Sequence, residues 1–178
     1  VKDILQLAAT IGQEFTYGLL RAVSQLDDVT VNYELGRLVR AELRYQSGFP
    51  PEARYVFKHA LIQDAAYQQQ LRSKRQISHQ RIAQVLENEF VDTVETQLEL
   101  IAHHYTEARL LEQAIPYWLR AGRRAMGRSA NMEAISHLTK GIELLKKLDE
   151  TPEKLEQELE FQLTLGPVLM NYYGHSHP

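Results

Sequence analysis

The chain has 178 residues, 44% hydrophobic and 24% charged, with a formal net charge of -3 and no cysteine. That balance describes one ordinary globular domain or two small ones, not a disordered segment, and it argues against a purely electrostatic grip on nucleic acid. It also excludes a disulfide scaffold and a cysteine-ligated zinc, and fits a cytoplasmic protein.

No apolar run reaches the roughly 18 residues that a membrane span needs. VKDILQLAATIG lacks the basic start and cleavage pattern of a secretory signal, and Val1 already lies in a helical pattern, which reads as a piece of a longer polypeptide.

In chain order, Ile4, Leu7, Ala8 and Ile11 share one face of a first helix that Gly12 stops. Tyr17 to Val23 gives a second, with Leu19, Leu20 and Val23 inward. Asp27 or Asp28 caps a third, whose stripe is Val31, Leu35, Leu38 and Val39, closed by Leu43. Two short β-type runs follow, 43–46 and 54–57, separated by the turn formers Ser47, Gly48, Pro50 and Pro51. Three helices and a two-stranded hairpin outline a winged helix; a plain helical bundle with an irregular loop is the alternative.

After His59 the pattern is helical throughout. Residues 60–71 make one helix, and Ser73 caps the next, with His79, Ile82, Ala83, Leu86 and Phe90 on one face. Residues 94–108 give another, with Leu98, Ile101, Ala102 and Tyr105 together. Two later segments echo each other, in Ala114, Ile115, Trp118, Ala121 and in Ala134, Ile135, Leu138, Gly141. As one helix pair, Trp118, Ala121, Gly122 and Ala125 followed by Ala134, Leu138 and Gly141 match much of a tetratricopeptide unit, whose period is about 34 residues. Thr151 and Pro152 start a last helix, which Gly166-Pro167 should kink or break.

The expected fold is therefore mainly α. A winged-helix domain with a small β-hairpin spans 1–70, a helical connector 71–110, and tetratricopeptide-like repeats 111–178, an incomplete array that continues beyond the segment.

Several patterns resemble sites. GRRAMGRS, residues 122–129, mimics a phosphate-binding loop, but such a loop follows a strand, and this one follows a helical stripe and has Arg128 in place of lysine. Packing of the repeat explains it better. His103 and Glu107 lie one turn apart beside His104, with no third ligand, so no metal is expected. His175 and His177 read as tail residues. No nucleophile, base and orienting acid occur in a recognisable arrangement, so the segment reads as non-catalytic. From Asp27 to Lys58, five acidic residues balance the five basic ones, Arg37, Arg40, Arg44, Arg54 and Lys58, whereas a DNA-reading face should be positive. Arg72, Lys74, Arg75 and Arg81 read as a solvated face. Lys58 and His59 remain, at the join of a strand and a helix. A histidine there is either a capping or core residue, or a contact for an anion at the helix start.

LQLAATIGQEF, RYVFKHALIQDAAYQQQL, LIAHHYTEA and AIPYWLRAGRRAMGRSANMEAISHLTKGIELL closely resemble a bacterial family of large signalling ATPases of the STAND class, often fused to a class III adenylate or guanylate cyclase. The resemblance implies that this is the stretch after the ATPase core, comprising winged helix, connector and first repeats. ATP or ADP would then be bound by the parent's upstream domain, with no cofactor in the segment itself. FKHALIQDAA resembles the Met-His-Asp signature of that class, whose histidine touches the phosphate of bound ADP. His59 stands on the histidine, Lys58 on the methionine, and Ala60 in place of the aspartate. The implied function is a regulatory, protein-interaction segment that couples an inducer on the repeats to a nucleotide switch. Its partners would be the upstream nucleotide-binding domain and a protein or other inducer. A winged-helix DNA-binding regulator and a free-standing tetratricopeptide adaptor are the alternatives.

Overall fold

The structure is a computed structural model that describes residues 1–42 and 44–174. Leu43, expected to close the third helix and open the hairpin, and the tail residues His175 and His177 lie outside the described residues. The fold is mainly helical, with ten helices and one three-stranded antiparallel sheet among the described residues. None of these helices is long and apolar enough to cross a membrane. The chain divides into two compact units, Val1–Val91 and Asp92–Pro178.

The first unit contains α1 (Lys2–Ile11), β1 (Glu14–Thr16), α2 (Tyr17–Ser24), α3 (Asp28–Arg40), β2 (Arg44–Ser47), β3 (Arg54–Phe57), α4 (Ala60–Gln68) and α5 (Arg72–Glu89). Ile4, Ala8 and Ile11 recur at helical spacing and bury one face of α1, which ends at Gly12. Thr16 caps α2, its hydroxyl accepting from the Leu19 N–H at 3.2 Å, and Asp27 caps α3, accepting from the Thr30 N–H at 2.9 Å. Side-chain caps of this kind stabilise a helix by about 1 kcal/mol. Tyr17 then ties the two helices together: its hydroxyl donates to Asp28 at 2.7 Å and accepts from Asn32 at 3.1 Å.

The sheet order is β1-β3-β2. The sequence predicts only the β2–β3 hairpin. The third strand, β1, is three residues between two helices, too short to show a period of its own, and it exists because Phe15 pairs with Tyr55 across β3. Phe15, Tyr55 and Phe57 are buried on one face of the sheet. A buried amide secures α1 further along: Gln70 Nε2 donates to Gln6 O and to Thr10 Oγ1, both at 3.0 Å. Ser73 is not a cap. α5 starts one residue earlier, at Arg72, with Leu71 in the capping position and no side-chain bond there.

The helix α6 (Val91–Thr96) opens at the boundary, and the second unit continues with α7 (Leu98–Glu107), α8 (Leu111–Gly127), α9 (Asn131–Leu145) and α10 (Pro152–Gly174). The expected single helix over 94–108 is broken at Gln97, whose φ of -138° and ψ of 58° are not helical. From α8 onward each helix packs on its predecessor in sequence. Two glycines set the approach. A Cβ at Gly122 of α8 would lie 2.5 Å from a methyl carbon of Leu138 on α9, and one at Gly141 of α9 would overlap the Phe161 ring of α10. The predicted break at Gly166-Pro167 does not occur. α10 runs through it, because Phe161, Thr164 and Val168 hold its inner face on both sides of a proline that costs the helix one internal hydrogen bond.

Gly141→Ala should destabilise the second unit by about 1–3 kcal/mol, since the Phe161 ring is fully buried and cannot swing aside. Gly127→Ala, where an added Cβ meets nothing within 4 Å, should be neutral or slightly stabilising. Thermal unfolding followed by circular dichroism distinguishes the two.

Candidate functional site

Lys58 and His59 fill the join between β3 and α4. β3 holds the chain extended up to Phe57, and His59 is still extended at φ -137° and ψ 134° when its carbonyl accepts the first α4 bond, from the Ile62 N–H at 3.0 Å. The His59 side chain is exposed and makes no capping hydrogen bond. Below it, the first turn of α4 presents N–H groups and the positive end of the helix dipole. An imidazole and backbone donors are thus offered together to an anion.

Lys58 is differently placed. Its ammonium lies 2.8 Å from Glu42 Oε2 and 5.6 Å from the centre of the Tyr45 ring. The hydrogen bond from Lys58 holds the Glu42 carboxyl below its usual range, and the same bond raises Lys58. Glu42 sits at the turn from α3 towards β2 in a left-handed conformation, φ 56°. The two sequence candidates are neighbours, but Lys58 is engaged within the hairpin while His59 faces outward.

Beside them, α1 and α4 leave an apolar groove of about 350 Å³ walled by Leu5, Leu61, Ile62, Ala65 and Ala66. Leu61, two residues beyond His59, is 80% exposed.

Arg44 is the residue that sequence reasoning misplaced, since it was counted with the surface bases. In register it pairs with Phe57, and it is 2% exposed. Its guanidinium carbon lies 3.7 Å from the Phe57 ring centre and 4.4 Å from that of Phe15, and none of its three nitrogens has a hydrogen-bond partner. Burial lowers its pKa to about 9, so it remains charged at neutral pH. Burying an ion costs several kcal/mol, and two desolvated cation–π contacts return about 2 kcal/mol each, so the terms nearly cancel. The register decides it: Arg44 lies opposite Phe57, and Phe57 shares a face with Tyr55.

In the second unit Ala114, Trp118, Ala121, Gly122, Ala134, Leu138 and Gly141 are all buried. Residues 122–127 are the end of α8, so the phosphate-loop look-alike is helix. Trp118 donates its indole N–H to Thr106 Oγ1 at 3.0 Å, lies tilted by 31° against the His137 ring with ring centres 5.5 Å apart, and carries Lys140 Nζ 4.8 Å from its own centre. His103 and Glu107 are exposed on α7. Among the described residues no group of three or more His, Cys, Asp or Glu side chains is placed to hold a metal.

Two predictions follow from these surroundings. In a double-mutant cycle, Phe57→Leu should cost about 1–2 kcal/mol more with Arg44 present than in an Arg44→Met background, because the ring then offsets no buried charge; zero coupling in urea unfolding would reduce the rings to plain packing. Burial lowers the His137 pKa from 6.5, despite opposing Glu99. The unfolded chain then binds protons first as the solution acidifies, so stability is lost as pH falls below about 6.5. His137→Gln should flatten that loss, as read from unfolding midpoints between neutral and mildly acidic pH.

The chain is 29% identical over 182 residues to an uncharacterized protein of Rhizobium meliloti (strain 1021), in an alignment covering 98% of this chain and 17% of that protein. The chain thus spans about a sixth of the length of the curated relative it matches. No protein-family model matches it, and no solved structure matches it.

Proposed function

We propose that this chain is a non-catalytic regulatory segment of a larger cytoplasmic signalling ATPase of the STAND class, with a winged helix in the first unit and tetratricopeptide-like repeats in the second. The observation that carries the reading is the exposed His59 at the start of α4, beside first-turn N–H groups and the exposed Leu61 with its apolar groove. A nucleotide-binding domain docked there would bring an ADP phosphate to the imidazole while covering apolar surface. The helix-on-helix series from α7 to α10 suits an inducer-binding array, and the small share of the relative's length suits a segment of a multidomain protein. Inducer binding shifts the switch only if its affinity differs between the two states.

The resemblance to FKHALIQDAA points the same way, with two departures. Lys58 takes the methionine position and is held by Glu42, and Ala60 supplies no carboxylate. The burden of sensing therefore rests on His59. In the intact parent protein, His59→Ala should weaken ADP binding several-fold and raise basal activity. Unchanged affinity together with unchanged activity would remove His59 from the mechanism.

A DNA-binding regulator is the second reading, favoured by the exposed Tyr33, Arg37 and Arg40 on α3. It is the weaker one, because the other bases of this region are taken: Arg44 is buried, Arg54 pairs with Glu14 and Lys58 with Glu42. Arg37, which lies over the Tyr33 ring at 5.8 Å, and Arg40 supply little of the salt-sensitive attraction that DNA binding needs. Binding of mixed duplex DNA at low salt would favour this reading, and its absence there ends it.

A further inference from the structure

α10 carries an apolar stripe that nothing in its own unit covers. Leu155, Leu159, Leu163, Met170 and Tyr173 are each between 56% and 74% exposed. At about 100° per residue they fall, with Gly166, within a sector of roughly 80°. The opposite face, with Phe161, Thr164 and Val168, is the one buried against the preceding helices. Five large exposed side chains on one line are more than scattered surface leucines, and they have the spacing of a helix-pairing seam.

The rest of the unit shows how its helices join. Two of the contacts, α8 with α9 and α9 with α10, set a large side chain on a glycine of the preceding helix, Leu138 on Gly122 and Phe161 on Gly141. Gly166 lies in the middle of the α10 stripe, and a Cβ built there meets nothing within 4 Å. It is a seat of the same kind with no side chain on it. Leu163 and Pro167 also wall an open groove of about 480 Å³ with Arg123 and Met126 of α8, so the neighbouring helix does not close over the stripe.

We infer that the stripe is the interface of a two-fold dimer, in which α10 pairs antiparallel with α10 of a second copy of this chain. The sequence of the stripe is complementary to its own reverse. With the axis passing between Thr164 and Leu165, Leu163 faces Gly166 of the second copy, Leu159 faces Met170, and Leu155 lies at the Tyr173 end. The empty glycine seat thus receives a leucine, as Gly122 receives Leu138. Because the interface is isologous, each such contact occurs twice.

Charge selects the same direction. The first half of α10 is net acidic, with Glu153, Glu156, Glu158 and Glu160 against Lys154. Lys154 pairs with Glu158 and Glu160 pairs with Arg123, while residues 161–174 carry no charge. Antiparallel pairing lays each acidic half along an uncharged one. Parallel pairing would set glutamates against glutamates, which is unfavourable along a helix seam.

The test is sedimentation equilibrium of the 178-residue chain from about 1 to about 100 µM, a range that spans ordinary helix-pair affinities. A dimer is expected. The double substitution Leu159→Glu and Leu163→Glu should weaken it by at least about 100-fold. It should leave the helical circular dichroism unchanged, since both side chains are exposed in the single chain. The chain has no cysteine, so Leu163→Cys and Gly166→Cys variants can be mixed and mildly oxidised. The cross-link between the two variants should exceed either self-cross-link. A monomer at every concentration would overturn the proposal and leave the stripe to another occupant, either a further helix of a longer polypeptide or a different protein. A dimer indifferent to the two glutamates, or one giving mainly self-cross-links, would overturn it equally.

Discussion

Strand β3 is hydrogen-bonded along both edges, and the first unit depends on that constraint. Four residues, Arg54 to Phe57, pair with β1 on one side and β2 on the other. The pairing fixes which side chains turn inward, so Tyr55 and Phe57 meet Phe15 and enclose Arg44. It also fixes where the chain leaves the sheet. With Phe57 bonded in place, Lys58 and His59 have only two residues in which to pass from extended to helical backbone, and His59 is left outward at the head of α4. The functional reading begins from this geometry rather than from any special reactivity of the imidazole.

The second unit rests on a different device, the close approach of helices at glycine. At Gly122 and Gly141 the absent Cβ is the space that the next helix occupies, and a single methyl would force fully packed neighbours apart. The pattern gives the unit direction, since α9 and α10 each seat a large residue on a glycine of the helix before. It also makes the uncovered Gly166 conspicuous, along with the leucines and methionine around it. The two surfaces considered for function are therefore unlike. One is a small polar head beside a groove, suited to an anion and a docked domain. The other is a long dry seam, suited to a helix.

Much of this was legible in the sequence. The faces of α1, α8 and α9 follow from residues three and four apart, and the small and large residues from Ala114 to Gly141 that recur at that spacing are buried. The position of His59 at a strand-to-helix join was legible too, from the change of period around Phe57. The misses share one cause. Arg44 reads as one of the surface bases of its region, yet pairing with Phe57 turns it inward and leaves its neighbour Tyr45 58% exposed. β1 has no period to read, and the uninterrupted course of α10 through Pro167 depends on side chains held by other helices.

The amino-acid order by itself determined the helical elements, their inward stripes and the small residues at which helices meet, because a helix repeats within one turn and its signal is carried by near neighbours. Only the tertiary structure decided the third strand, the burial of an arginine between two rings, the outward turn of His59 and the open seam on α10. Those depend on partners far along the chain, and a residue's burial is a property of what lies across from it.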